Sequence, residues 1–128
     1  MPVSVVRLGT PRAADEGLRI GTVRRPPRGV PKAEFASGDW YDTWLPELSP
    51  SAGLVTQAQA AATDGEWRRF VRAYRREMAE PGPRHLVELL AALSHTSALA
   101  VGCYCVDESR CHRSVLRELL VEAGASVR

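Results

Sequence analysis

A chain of 128 residues, 45% hydrophobic and 25% charged, has the length and make-up of one globular domain and excludes a fibre or a disordered polymer. Its net charge of +2 argues against a nucleic-acid partner recognised through overall charge. The three cysteines all fall between Cys103 and Cys111, which is no extracellular disulfide framework and fits a reducing compartment.

The opening MPVSVVRLGT lacks the basic and apolar regions of a secretory signal, and no apolar run approaches the ~20 residues of a membrane span. The expectation is a soluble, cytoplasmic single domain over 1–128. Val3-Ser4-Val5-Val6 is short and β-branched, and reads as a strand before Gly9-Thr10-Pro11. Leu18 to Val23 alternates as a second strand. Arg24-Arg25-Pro26-Pro27-Arg28-Gly29-Val30-Pro31 cannot continue a helix or a central strand, so it is a fixed loop carrying three Arg. From Lys32 to Leu48 the signal is weak, although Trp40, Trp44 and Leu45 have helical spacing.

Ser49-Pro50 reads as a helix start, with Ser as cap and Pro at the first helical position, leading to an Ala-rich helix ending near Ala61. Thr63-Asp64-Gly65-Glu66 has capping-box spacing. Behind it Trp67, Phe70, Val71, Tyr74 and Met78 form one apolar stripe, and Arg68, Arg69, Arg72, Arg75 and Arg76 a solvated face. Pro81-Gly82-Pro83 ends that helix, and Leu86, Leu89, Leu90 and Leu93 mark the next. Leu99 to Cys105 is a nearly continuous apolar run, as expected of a strand buried on both faces. After the turn Asp107–Arg110, a last helix runs from Cys111 to about Glu122 with Val115, Leu116, Leu119 and Leu120 inward, and Ala125 to Val127 begins an edge strand. This succession predicts an α/β fold, a small mostly parallel sheet flanked by helices.

In such sheets ligands bind beyond the carboxyl ends of the strands. Arg24–Gly29 and Val106–Arg113 both follow predicted strands directly, so they are expected to meet at one edge, with Arg24 or Arg28 within ~10 Å of the start of the last helix. Free N–H groups there favour an anion and lower a thiol's pKa, and Arg110 and Arg113 add positive charge. Cys111 is accordingly expected to be more acidic than a free thiol. It also lies four residues before Val115, on the buried stripe, so an ordinary core cysteine is the competing reading. His112, four before Leu116, is either a buried His bonded to a loop carbonyl or an acid–base group. Neighbours on a helix point about 100° apart, so the two make no tight dyad unless the helix begins after them. No third residue that would orient His112 is visible.

Cys103 and Cys105 share a strand face. With Cys111 and His112 they could form a four-ligand set, but the spacing is more compact than that of zinc knuckles, and no metal centre is predicted. A Cys-x5-Arg phosphate loop is excluded, because Cys111 stands six after Cys105. Pro26 and Pro27 would hold the Arg24–Arg28 loop ready as an anion clamp; a solvated turn is the plain alternative.

Several motifs occur together in order: Arg24, Pro27, Arg28 and Gly29 after a strand; Trp44-Leu45-Pro46-Glu47-Leu48-Ser49-Pro50-Ser51; Trp67, Phe70 and Tyr74 on one helix; and Cys103, Cys111, His112 and Arg113. In these the chain resembles the YeaO-like bacterial proteins, domain-of-unknown-function family 488, over nearly its whole length. The resemblance implies a fold and no settled activity. Cys105 stands where many relatives have Glu. Two functions follow from the residues. One is a small enzyme acting on an anionic or phosphorylated small molecule: Arg24, Arg28, Arg110 and Arg113 hold the anion, Cys111 or Cys105 is the nucleophile, and His112 is the acid or base. The other is a non-catalytic module binding a ligand, metal or protein through the same pocket. Cofactor, substrate and oligomeric state are not legible.

Overall fold

A computed structural model describes residues 2–128. The β-branched start forms β1 (Val3–Arg7), and Leu18–Gly21 forms β2. Between them runs β4 (Leu99–Cys103), buried at all five positions. A two-residue edge strand, β3 (Thr43–Trp44), completes an all-parallel sheet in the order β1-β4-β2-β3. Val101 of β4 faces Val5 on one side and Ile20 on the other. Such a position, flanked by strands on both edges, explains the unbroken apolar run.

The helices are α1 (Ala52–Ala60), α2 (Asp64–Met78), α3 (Pro81–Leu93) and α4 (His112–Glu122). The main core joins Ile20, Leu99 and Val101 of the sheet to Phe70, Tyr74 and Met78 of α2, Leu90 of α3, and Val115, Leu116 and Leu120 of α4. Thr63 caps α2 as its spacing indicates: its hydroxyl accepts the Glu66 backbone N–H at 3.1 Å. Pro81 opens α3 at the first helical turn, where a missing N–H costs nothing.

Several boundaries differ from expectation. The first helix begins at Ala52, capped at Ser51 rather than Ser49, because Pro46–Leu48 forms a 3-10 turn and turns the Ser49 and Pro50 carbonyls toward Arg24. Trp44 is not helical but lies in β3, its indole N–H donating to the Val23 carbonyl at 2.7 Å. The C-terminal edge strand is reduced to one parallel bridge, Val3 with Val127. β4 ends at Cys103, two residues early.

The second face of the sheet is covered by irregular chain. Arg19, fully buried, reaches out from it to Glu16 and to the Thr10 and Asp39 carbonyls. Here two paired glycines matter. Gly21 and Gly102 stand opposite each other in register. A Cβ at Gly21 would clash with the Tyr41 ring, and one at Gly102 would meet Leu8 and the Val6 carbonyl. Their bareness lets Tyr41 and Leu8 close down beside the carboxyl end of β4.

Candidate functional site

Chain leaving β2 and chain leaving β4 emerge side by side from adjacent parallel strands. Hydrogen bonds join them. Tyr104 donates its hydroxyl to the Arg25 carbonyl at 2.8 Å, and His112 Nε2 lies 2.7 Å from the Thr22 carbonyl. The strands that Arg24–Gly29 and Val106–Arg113 follow are thus adjacent and parallel, so both segments leave the sheet at its carboxyl edge.

At this edge the three cysteines and His112 gather. Cys103 is the last residue of β4, Cys111 the N-cap of α4, and His112 its first helical residue. The Cys103 and Cys111 Sγ atoms are 2.7 Å apart, and Cys111 Sγ is 3.7 Å from His112 Nδ1. Cys111 has extended backbone, φ −128° and ψ 150°, so it stands outside the helix. The 100° that would separate helical neighbours does not apply, and thiol and imidazole meet. Leu8, Val23 and Tyr41 pack around the two sulfurs, with Phe35, Trp40 and Tyr104 over them.

His112 is buried, and its tautomer is fixed by its partner. A carbonyl only accepts, so Nε2 carries the proton it donates to Thr22, and Nδ1 turns its lone pair toward Cys111. Burial pushes the imidazole down to about 4, against the pull of the Thr22 carbonyl, so it is neutral at physiological pH. Thr22 is the orienting group that sequence reading did not find. It is fully buried two residues before Arg24, with its hydroxyl 3.0 Å from the Gly102 carbonyl. A polar residue in the apolar phase of β2's alternation was the available signal.

The thiols divide unequally. Cys103 and Cys111 are buried and Cys105 is exposed. Cys105 lies past the end of β4, with its backbone N–H donating to Cys103 Sγ at 3.4 Å, so the shared strand face expected for Cys103 and Cys105 is not formed. The three share charge strongly. Hydrogen bonding to Cys103 and Cys111 carries the Cys105 thiol far below its ordinary value, with the Arg113 charge assisting. Cys103 rises correspondingly through hydrogen bonding to Cys105 and Cys111 and through burial. For Cys111 the bond to Cys103 acts downward, but the bond to Cys105, burial and the Cys105 charge outweigh it and take the thiol up to about 11. The expected acidic Cys111 is thus corrected: a helix start favours a thiolate, but a buried thiol beside a more exposed one yields the charge to its neighbour.

The four arginines separate. Arg24 spends its fork on the Ser49 and Pro50 carbonyls at 3.0–3.1 Å and so acts as a strut. Arg110 is paired with Asp64 at 2.6 Å and lies over the Trp67 ring. Arg28 is exposed on the loop. Arg113 is only 3% exposed. It donates from Nη2 to the Cys105 carbonyl at 2.6 Å, its Nε has no partner, and it forms no ion pair with any carboxylate among the described residues.

Fold and site together define a small parallel α/β domain with a Cys, His and Arg cluster at the carboxyl edge of its sheet. Residues 3–124 match the family described as the active DUF488-N3 subclade, and the chain belongs to the DUF488 proteins. No curated protein and no solved structure matches it. No helix among the described residues is long and apolar enough to cross a membrane.

Proposed function

We propose that the crevice at the carboxyl ends of β2 and β4 is the active site of a small enzyme acting on an anionic, phosphorylated small molecule, with Cys105 as nucleophile. The observation that carries this reading is positional. Cys105 is the exposed thiol of the cluster, and its carbonyl is held by a buried guanidinium, that of Arg113, whose Nε has no partner. A buried, unsatisfied donor on a cation is costly unless something acidic meets it. Arg28 on the facing loop and the open N–H groups of α4 would share the anion with Arg113. Arg24 and Arg110, already committed elsewhere, drop from the binding set. Cys111 and His112 lie behind Cys105, with the imidazole oriented by the Thr22 carbonyl. The matched family's description as active supports chemistry over binding alone.

Competing alkylation tests this. Iodoacetate carries the charge the site is built for and iodoacetamide does not. Their rate ratio at Cys105 should exceed that of free cysteine about tenfold at low salt, and inorganic phosphate should protect. Arg28→Ala should reduce the ratio and Cys105→Ser abolish the label. A ratio equal to that of free cysteine, without phosphate protection, would overturn the proposal. A Cys105 unreactive to both reagents in a chain that phosphate stabilises against unfolding would favour the non-catalytic binding module.

A further inference from the structure

We propose that Cys103 Sγ, Cys111 Sγ and His112 Nδ1 form a binding site for one thiophilic divalent cation of the zinc class, seated behind Cys105. This does not rest on the proposed chemistry, since it concerns atoms buried beneath the nucleophile. The three candidate ligand atoms lie within 4.8 Å of one another, and all three residues are buried. They come from three separately fixed places: the end of β4, the cap of α4 and its first residue. The position of each is therefore set by the sheet and the helix.

His112 is held as metal-bound histidines are. Its Nε2–H is donated to the Thr22 carbonyl at 2.7 Å, the outer bond that fixes tautomer and ring plane and leaves the other nitrogen free to ligate. The Thr22 hydroxyl, 3.2 Å from the same nitrogen, and the edge of the Tyr74 ring confine the imidazole further. One sulfur is prepared too: the Cys105 backbone N–H donates to Cys103 Sγ at 3.4 Å. Such N–H to sulfur bonds stabilise coordinated thiolates.

The donor set selects the ion. Two thiolates and an imidazole, with no carboxylate among them, suit zinc-class metals and reject magnesium and calcium. At metal–sulfur and metal–nitrogen distances of about 2.3 and 2.0 Å, tetrahedral ligands stand ~3.8 Å apart for sulfur pairs and ~3.5 Å for sulfur and nitrogen. The Cys111–His112 separation of 3.7 Å already fits. The sulfurs, 2.7 Å apart, need to open by about 1 Å. A disulfide between them is the alternative closure, and it would leave His112 Nδ1 buried without a donor; the cation uses all three atoms. The guanidinium of Arg113 nearby offsets the charge of the collected thiolates.

The compact sequence spacing argued against a metal because zinc knuckles come as separated pairs. Here a strand end and a helix start replace the knuckles, and the turn between them supplies the N–H donor.

The test uses the full chain, purified without chelator and under reduction. Elemental analysis should find close to one equivalent of zinc. Cobalt(II) added to the stripped protein should give thiolate-to-cobalt charge-transfer absorption with tetrahedral d–d bands. Cys103→Ser and Cys111→Ser should each weaken cobalt binding at least tenfold, and Cys105→Ser should retain it. Titration of the stripped native chain, which does not depend on the folding of any variant, is the deciding measurement. No charge-transfer band in that titration overturns the site, as does intact mass showing a Cys103–Cys111 disulfide whose reduction fails to restore metal uptake. Neither measurement involves substrate or Cys105 alkylation, so this site and the proposed enzyme can fail separately.

Discussion

Arg19 carries a permanent charge into a place that water does not reach. It is 0% exposed and its partner Glu16 only 4%, and the fold compensates it completely. The guanidinium makes a two-pronged contact with both Glu16 oxygens at 2.8 and 2.9 Å and donates to two backbone carbonyls besides. Charge and geometry are both satisfied, the condition under which a buried pair is tolerated. Arg113 is the opposite case: similarly buried, one hydrogen bond to a carbonyl, and one nitrogen unpartnered. That contrast is the ground on which Arg113 is proposed to meet an anion, whereas Arg19 is satisfied within the fold. Removing the counter-charge of Arg19 should therefore damage the fold alone. Glu16→Gln is expected to cost about 3–5 kcal/mol, because it strands a buried cation. Urea unfolding would measure it, and a loss under about 1 kcal/mol would show that Arg19 finds solvent or another partner.

At the scale of elements, local signals and tertiary geometry divide the work. The cap of α2 is local: Thr63 accepts the Glu66 N–H and donates to the Glu66 side chain at 3.1 Å. Thr63→Ala should cost about 1 kcal/mol in thermal or urea unfolding. Loss of the whole helix, or no effect, would contradict a single capping bond. Elements with such signals were legible: α2 from its cap and stripe, α3 from its prolines, β4 from its apolar run, and the parallel sheet from their alternation. Elements fixed by long-range pairing were not. Trp44 has helical spacing from Trp40, yet its backbone pairs with Gly21 and its indole with Val23, neither of which is near in sequence. The site was legible to the same degree. Its segments and their meeting edge follow from strand succession. The environments of its members follow from burial, which a period of 3.6 or 2 does not report: Cys111 is buried and Cys105 exposed. Arg24 looked free because the carbonyls that occupy it, those of Ser49 and Pro50, are turned toward it by the preceding 3-10 turn, which has no sequence signature.

Across the whole molecule, ion pairs join segments far apart in the chain. Arg12 binds Asp39 and Asp42, Arg75 reaches Glu118 and Glu122 on α4, and Arg128 holds Asp15. All of these tie a peripheral segment to the centre, and three of the carboxyl groups involved, Asp42, Glu122 and Asp15, titrate below their ordinary values. Asp42 is the most sheltered of the three, with 25% of its side chain exposed. Burial acts to raise it, but the hydrogen bonds from Arg12 and from the Arg19 backbone N–H, with the charges of both arginines, bring it down. A carboxyl group lowered on folding stabilises the native state above its unfolded pKa, and that contribution disappears as the pH falls through the folded one. The protein should thus hold a plateau of stability above about pH 5 and lose it on acidification from near 3.8, the ordinary value for Asp. The Asp15 and Glu122 pairs are exposed and screened by salt, so raising ionic strength should flatten their share. The Asp42 share should persist, because it also secures the Arg19 backbone at 2.8 Å. Asp42→Asn is expected to lower stability at pH 7 by about 1 kcal/mol and to leave a shallower fall below pH 4 than the native chain shows. Urea unfolding at matched salt from pH 2.5 to 7 measures both. Parallel pH profiles for the two proteins would show that the acid sensitivity arises elsewhere.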